Sequence, residues 1–341
     1  MRVRLKDVAA ACGVSPATVS LVLNEATDRI TPETVARVRN AAAELGYTPN
    51  TAARSLRTRR TRTIGVVSDT VLTSGSASAM VQGTQEAAWQ HDHLLLWLGT
   101  DSRSDRIARA VQEFSDRQVD GFVFAAMYHR RLPFGGLTRG VPTVGLDAVS
   151  DDPDVPCFVP DDYAGGLAAT RLLIAAGHRR IAHISEPSGD GLARPLRLDG
   201  YRAALAEAGL GEGQVVVPEW FHFGSKASER AALGLLSGPD RPTAIFAFND
   251  LAAMGVYHAA RRLGLSIPGD VSVVGFDDYE NVASELYPAL TTLALPHRRL
   301  GELAATALLV RMGVAEGEVP QGVTRVTCPP VVRNSIAPPS R

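Results

Sequence analysis

The stretch DVAAACGVSPATVSLVLN, Asp7 to Asn24, decides how the N-terminus folds. It carries few large apolar residues, yet its valines and alanines recur at helical spacing. The interruption is Gly13-Val14-Ser15-Pro16. Glycine suits the turn, a serine hydroxyl caps orphan amides, and proline fits the first helical position, where its missing N–H is not needed. The spacing predicts one helix over about Leu5–Ala11, a turn at Gly13, and a second helix from Pro16 to about Val22 or Leu23: a helix-turn-helix. Val8, Val14, Val19 and Leu23 are expected to meet in a small core, with Pro16, Ala17, Thr18, Ser20 and Leu21 outward. A third helix opens at Thr31-Pro32-Glu33, carries an apolar stripe of Val35, Val38, Ala42 and Leu45, and stops at Gly46. Alone, such capped helices read equally as an αα-hairpin of no special purpose.

Charge separates the alternatives. The 341 residues carry a formal net charge of −1, unevenly spread. Residues 1–63 hold eleven Arg and Lys against five Asp and Glu, a net of +6, so the rest carries −7. A small basic head on an acidic body points to a polyanion met by the head alone. The segment YTPNTAARSLRTRRTRT, Tyr47 to Thr63, adds five arginines between Arg54 and Arg62. The plain reading is a solvated linker. Yet Pro49-Asn50 is a helix start, with Ala52, Ala53 and Leu56 on one face and Arg54 and Arg57 beside them. An apolar wedge among arginines suits the DNA minor groove, where it unstacks a base step while arginines meet phosphates.

Cys12, Cys157 and Cys328 are too few and too far apart for a disulfide framework or a cysteine zinc site, and they fit a reducing cytoplasm. No apolar h-region opens the chain and no apolar run approaches the ~18 residues of a membrane span, so neither a secretory leader nor a membrane partner is expected.

From Thr63 onward, apolar runs alternate with helical stretches. The runs are Ile64–Ser68, Leu94–Leu98, Phe122–Ala125, Val141–Leu146, Ile181–Ile184, Val215–Val217, Ile245–Phe248 and Val271–Phe276. Helices are expected at Ser78–Gln90, Asp105–Arg117, Tyr163–Ala176, Leu198–Ala208, Lys226–Leu236 and Leu251–Leu263. This α/β alternation predicts doubly wound parallel sheets, enough for two lobes with a ligand cleft at the carboxyl ends of the strands.

LKDVAAACGVSPATVSLVLN, ITPETVARVRNAAAELGYTPNTAARSL, AGHRRIAHIS, RLDGYRAAL, AIFAFNDLAAMGVYHAARRLGLSIPGDVSVVGFDD and PALTTL together resemble the lactose-repressor (LacI/GalR) family over nearly the whole chain. The resemblance implies an all-α helix-turn-helix head on a periplasmic-binding-protein-like body of two lobes. Between them the chain would cross near Asp161–Asp162, Thr292–Leu295 and Gly322–Thr327. The expected organisation is a head at 1–48, a hinge helix and linker at 49–62, and a body at 63–341. Its N-lobe would take about 63–161 and 294–324, and its C-lobe about 162–293 and 325–341.

The implied DNA-contacting set is Leu5, Ser15, Pro16, Ala17, Thr18, Ser20, Leu21, Asn24 and Tyr47 in the head, with Asn50, Ala53, Arg54, Leu56 and Arg57 in the hinge. In the cleft, Arg197 and Asp277 match the family's effector-gripping pair, and Asn249 a third member. A guanidinium fork and a carboxylate suit paired hydroxyls. Asp147, at the end of a predicted strand, is the expected polar partner, while Asp250 and Asp278 read as caps of the helices that follow. Departures stand beside the matches. Ser76-Ala77 replaces two aromatics common in the family, so stacking would fall to Trp220, Phe223 or His297, and Leu21 replaces an arginine.

The expected function is a cytoplasmic, nucleoid-associated DNA-binding regulator, a repressor whose operator affinity is switched by a small molecule such as a sugar. It would work as a homodimer on a pseudo-palindromic operator, without cofactor or metal. An enzyme reading lacks G-x-G-x-x-G after a strand, a P-loop, G-x-S-x-G and H-E-x-x-H. A transport binding protein is opposed by the basic head. The C-terminal VRNSIAPPSR has no leucine repeat, which favours a dimer over a tetramer.

Overall fold

The structure, a computed structural model, describes residues 3–23, 27–48, 55, 60–71, 77–101, 103–186, 189–218 and 225–340. The chain divides into two compact units, residues 1–61 and 62–341.

In the first unit α1 (Leu5–Cys12) and α2 (Pro16–Leu23) bend by 104° from one another, within the helix-turn-helix range. Gly13 makes the turn at φ 65°, a left-handed conformation that costs other residues energy. Ser15 Oγ accepts the Thr18 N–H at 3.1 Å, and Pro16 opens α2. In α3 (Pro32–Glu44) the cap is Thr31, whose Oγ accepts the Thr34 N–H at 3.4 Å. Gly46 then turns left-handed and the Tyr47 N–H bonds Ala42 O at 2.8 Å. Val8, Ala9, Cys12, Val19, Val22, Val38 and Ala42 form the buried core. Val22, and not Leu23, is the buried end of α2; Leu23 and Val14 pack at the rim. No single described helix is long and apolar enough to cross a membrane.

The second unit holds two six-stranded sheets. The first orders its strands β11-β5-β4-β3-β1-β2, all parallel: β1 Thr63–Ser68, β2 Leu94–Gly99, β3 Gly121–Leu132, β4 Thr143–Ser150, β5 Cys157–Pro160 and β11 Val323–Val326. The second orders β12-β10-β9-β8-β6-β7: β6 Ile181–Ile184, β7 Gln214–Val216, β8 Ala244–Ala247, β9 Ser272–Asp277, β10 Thr291–Ala294 and β12 Pro330–Val331. Only β12 runs antiparallel there. Between the strands lie α4 (Ser78–Trp89), α5 (Ser104–Asp116), α6 (Asp162–Ala175), α7 (Ala193–Glu207), α8 (Ser225–Leu236), α9 (Asp250–Arg262), α10 (Glu280–Ala283) and α11 (His297–Arg311).

The central strands of each sheet are buried on both faces, which is why they read as unbroken apolar runs. Ile64, Val66, Val123 and Leu146 pack with Leu300 and Leu308 of α11 on one face of the first sheet, and Phe114, Phe122, Phe124 and Phe134 pack on the other. The chain leaves the first sheet after β5, returns at α11, and leaves again after β11. The last departure follows Val326, slightly beyond the 324–325 boundary expected from sequence. Strand β3 also departs from expectation. It runs to Leu132, and its pairing with β4 slips between Ala125 and Arg130. Tyr128 and His129, at φ 69° and 50°, form the kink. Such a bulge re-aims side chains.

Candidate functional site

Helices α6 and α7 touch through glycines. A Cβ on Gly166 would lie 2.3 Å from Arg197 O, and one on Gly200 would lie 2.2 Å from Tyr163 O. This close approach brings the Arg197 side chain to the start of α6. Arg197, 4% exposed, donates from Nε to Asp162 Oδ1 at 2.8 Å. Its Nη1 donates to Phe248 O at 2.8 Å and to Asp277 Oδ1 at 3.4 Å. The guanidinium carbon sits 3.6 Å from the Phe276 ring centre and 4.6 Å from that of Phe248. Flat cation faces take aromatic rings while the edge takes carboxylates.

Asp162 opens α6 and is buried. Burial alone would raise its pKa, but Arg197 and His129 outweigh burial and hold it below the usual range. Its Oδ2 lies 2.9 Å from His129 Nδ1. Asp277, at the carboxyl end of β9, is pushed up to about 6 by burial and by Asp162, against the pull of Arg197. Asp147, 2% exposed, accepts the His129 backbone N–H, and its Oδ1 has no hydrogen-bond partner among the described residues. Burial, with Asp162 nearby, raises its pKa well above a normal carboxylate. Glu186, just past β6, is pushed up to about 7, chiefly by burial. Asp69, after β1, is raised by burial and lies 4.0 Å from Arg130 Nε.

The two lobes meet here. Arg130 pairs main chain with Gly191, the Leu192 N–H bonds His129 O at 2.7 Å, and Arg130 Nη1 lies 3.6 Å from Asp190. Tyr128, His129, Asp147, Asp277 and Asp278 all have positive φ. Non-glycine residues held so cost of order 1–3 kcal/mol each and concentrate at binding sites.

Of the cleft residues singled out in the sequence, Asp147, Arg197 and Asp277 come together, with Asn249 beside Phe248. Asn249 spends its Oδ1 on capping α9, accepting the Ala252 N–H at 2.8 Å. The capping role read for Asp250 and Asp278 is therefore not theirs. Asp250 accepts from Tyr279 N and Thr292 Oγ, and Asp278 pairs with Arg333. His297 is buried at the first turn of α11. Ser76, Trp220 and Phe223 lie outside the described residues. In the head, Ser15, Pro16, Ala17 and Leu21 are exposed, while Leu5 and Tyr47 pack partly against the core and Thr18 and Ser20 are half-buried. Asn24, Asn50, Ala53, Arg54, Leu56 and Arg57 lie outside the described residues.

His129, Arg130 and Glu186 were not singled out, because nothing in MYHRR or ISEP marks a strand bulge or a cleft wall. Asp162 stood out only as a crossing point; the Gly165-Gly166 that follows was the available signal of close helix packing.

Residues 4–50 match the model of the lacI family of bacterial regulatory proteins, and residues 170–336 match a periplasmic binding protein-like domain. The chain is 38% identical to the ribose operon repressor of Escherichia coli (strain K12), over 90% of this chain and 92% of that protein. It superposes with a TM-score of 0.81 at 27% identity on a lac repressor dimer bound to operator and an anti-inducer, covering 99% of this chain and 100% of that one. A LacI family regulator from Enterococcus faecium with bound ribose superposes at 0.66 and 26% identity, over 81% and 99%. A capped helix-turn-helix, a two-lobed parallel body and this level of identity agree: the chain belongs to the LacI family, and is a DNA-binding transcriptional repressor with a small-molecule effector, not an enzyme.

Proposed function

We propose that the cleft takes an uncharged, hydroxyl-rich effector, a pentose such as D-ribose. The observation that carries this reading is the charge inventory of the cleft. Five carboxyl groups, those of Asp69, Asp147, Asp162, Glu186 and Asp277, stand with the guanidiniums of Arg130 and Arg197, while Arg194 of α7 acts on Glu186. At neutral pH a phosphate ester would meet the ionised carboxylates of Asp162 and Asp277, which already occupy Arg197, whereas vicinal hydroxyls can donate to Asp147 and Asp277 and accept from Arg197. The names of the ribose operon repressor and of the ribose-bound relative support the sugar assignment. Calorimetric titration with D-ribose and with ribose 5-phosphate tests it; tighter binding of the phosphate ester overturns it.

The head, 1–48, reads the operator through Ser15, Pro16, Ala17, Thr18, Ser20 and Leu21 at the start of α2, and Leu5, Asn24 and Tyr47 support or flank it. The hinge, 49–62, adds Leu56 with Asn50, Ala53, Arg54 and Arg57. The body, 63–341, carries the effector cleft and the dimer contacts. A net of +6 in residues 1–63 makes operator affinity fall steeply with salt, through counterion release. The work is done in the bacterial cytoplasm, on the nucleoid. Two copies bind a pseudo-palindrome, as a single head offers too little contact for specific binding. Strand β2, at the edge of its sheet, exposes Leu94, Leu96 and Leu98, and a second copy covers this edge. An effector with different affinities for two lobe arrangements shifts operator affinity by that same difference. Mobility shifts at rising salt and rising D-ribose, with an operator taken from the flanking DNA, test both halves; affinity indifferent to salt overturns the DNA reading.

A further inference from the structure

We infer that His129 is a positioning residue of the effector cleft, reaching from the N-lobe through Asp162 to set the orientation of Arg197 in the C-lobe. This rests on the reading of the cleft as a sugar site.

Asp162 uses both of its oxygens. Oδ1 takes the Arg197 Nε–H at 2.8 Å and Oδ2 faces His129 Nδ1 at 2.9 Å. Arg197 holds the carboxyl in its ionised, acceptor-only form, so the proton between His129 and Asp162 belongs to Nδ1. With Nε committed to Asp162 and Nη1 to Phe248 O, the guanidinium is held in its plane, its carbon 3.6 Å from the Phe276 ring centre and 4.6 Å from that of Phe248. In that plane Nη1 also donates to Asp277 Oδ1 at 3.4 Å. His129 contacts neither Arg197 nor Asp277 in any hydrogen bond; it acts by holding the carboxylate that holds the arginine.

The main chain of His129 is tied just as closely. Its N–H bonds Asp147 of its own lobe, and its carbonyl accepts the Leu192 N–H from the other lobe at 2.7 Å. The next residue, Arg130, bridges to Gly191. A Cβ on Gly191 would come within 3.2 Å of Tyr128 O, so this crossing is tight. Movement of one lobe against the other must therefore either carry the His129–Asp162 bond along or break it. The grip of Arg197 is thereby made to depend on how the lobes meet. The charged groups around the His129 ring and its neighbours are Asp147 from β4, Asp162 from α6, Arg197 from α7, Asp69 from the end of β1 and, beside Tyr128, Glu186 after β6 and Asp277 of β9.

Two measurements on the full chain test this. In the ligand-free protein with 15N-labelled histidine at pH 8, the His129 signals, identified by their disappearance in His129→Gln, should show the proton on Nδ1; a bare Nδ1 overturns the relay. D-ribose is then titrated into wild type, His129→Gln, which keeps a side-chain N–H donor, and His129→Leu, which does not. The Leu variant should lose about tenfold or more in affinity while Gln stays within about threefold of wild type. A Leu variant within threefold of wild type overturns the inference, and so does a Gln variant as weak as Leu, which would reduce His129 to ring packing. If His129→Leu does not fold, the tautomer and the Gln variant decide. A wild type that binds no D-ribose, whatever its tautomer, overturns the sugar reading instead and this assignment with it.

Discussion

Arg197 Nε and Asp162 Oδ1 lie 2.8 Å apart, with both side chains buried, and they join α7 to the residue at which the chain first enters the second lobe. Neither charge has water to fall back on, so each depends on its buried partners, Arg197 on Asp162 and Asp277, and Asp162 on Arg197 and His129. Removing one partner of such a pair strands a buried charge, at a typical cost of about 3–5 kcal/mol. Asp162→Ala should therefore lower unfolding stability by about 3–5 kcal/mol in denaturant titration. A loss below about 1 kcal/mol, the range of an exposed pair, would show that the site relaxes or hydrates.

Asp277→Ala should remove the response to effector. Operator affinity measured with and without D-ribose should give a ratio near one if, as proposed, the Arg197–Asp277 pair, 3.4 Å apart, is the edge that meets paired hydroxyls. A wild-type ratio in Asp277→Ala takes that residue out of the effector site.

Glu186 sets a pH dependence. Burial lifts its pKa from 4.5 to about 7, so the folded state holds this proton more tightly than the unfolded chain does. Folding is favoured by that proton at acid pH, and the advantage is lost as pH rises through the window from 4.5 to about 7. Glu186→Gln mimics the protonated form. It should melt with wild type at pH 4, below the window, and above wild type at pH 8. An equal offset at both values would show that Glu186 does not titrate in this window.

Ser15→Ala tests the head. The Ser15 hydroxyl is the acceptor for the Thr18 amide at the start of α2. Its loss should cost about 1 kcal/mol of head stability, followed by thermal melting of the head region, and should weaken operator binding. Operator affinity equal to wild type, at unchanged melting, would deny the cap any part in presenting α2.

Leu96→Asp tests the β2 edge. Leu96 is 38% exposed between the exposed Leu94 and Leu98. A charge placed there should dissociate the dimer in sedimentation and weaken operator binding in proportion. A variant that remains dimeric moves the interface elsewhere.

The sequence alone determined what local chemistry can determine. Gly13, Ser15-Pro16 and Thr31-Pro32 mark helix ends because caps and turns act within four residues. Long apolar runs mark strands buried on both faces, and with them the parallel sheets. The match of Arg197 and Asp277 to the family pair named a grip, and the fold does bring the two within 3.4 Å. The rest depended on three-dimensional packing. Strand β3 overruns its expected end by seven residues, from Ala125 to Leu132, through a register slip that no periodicity announces. That slip delivers His129 to Asp162, 33 positions away, and Arg130 to the second lobe. Asn249 rather than Asp250 caps α9, since Asp250 is already the first residue of the helix and its two carboxylate oxygens accept from Thr292 Oγ and the Tyr279 N–H. Raised carboxyl groups at Asp147, Glu186 and Asp277 come from burial and crowding, and both are properties of the packed fold. Contacts between residues tens of positions apart leave no local signature, because the chain between them sets their distance only after it has packed.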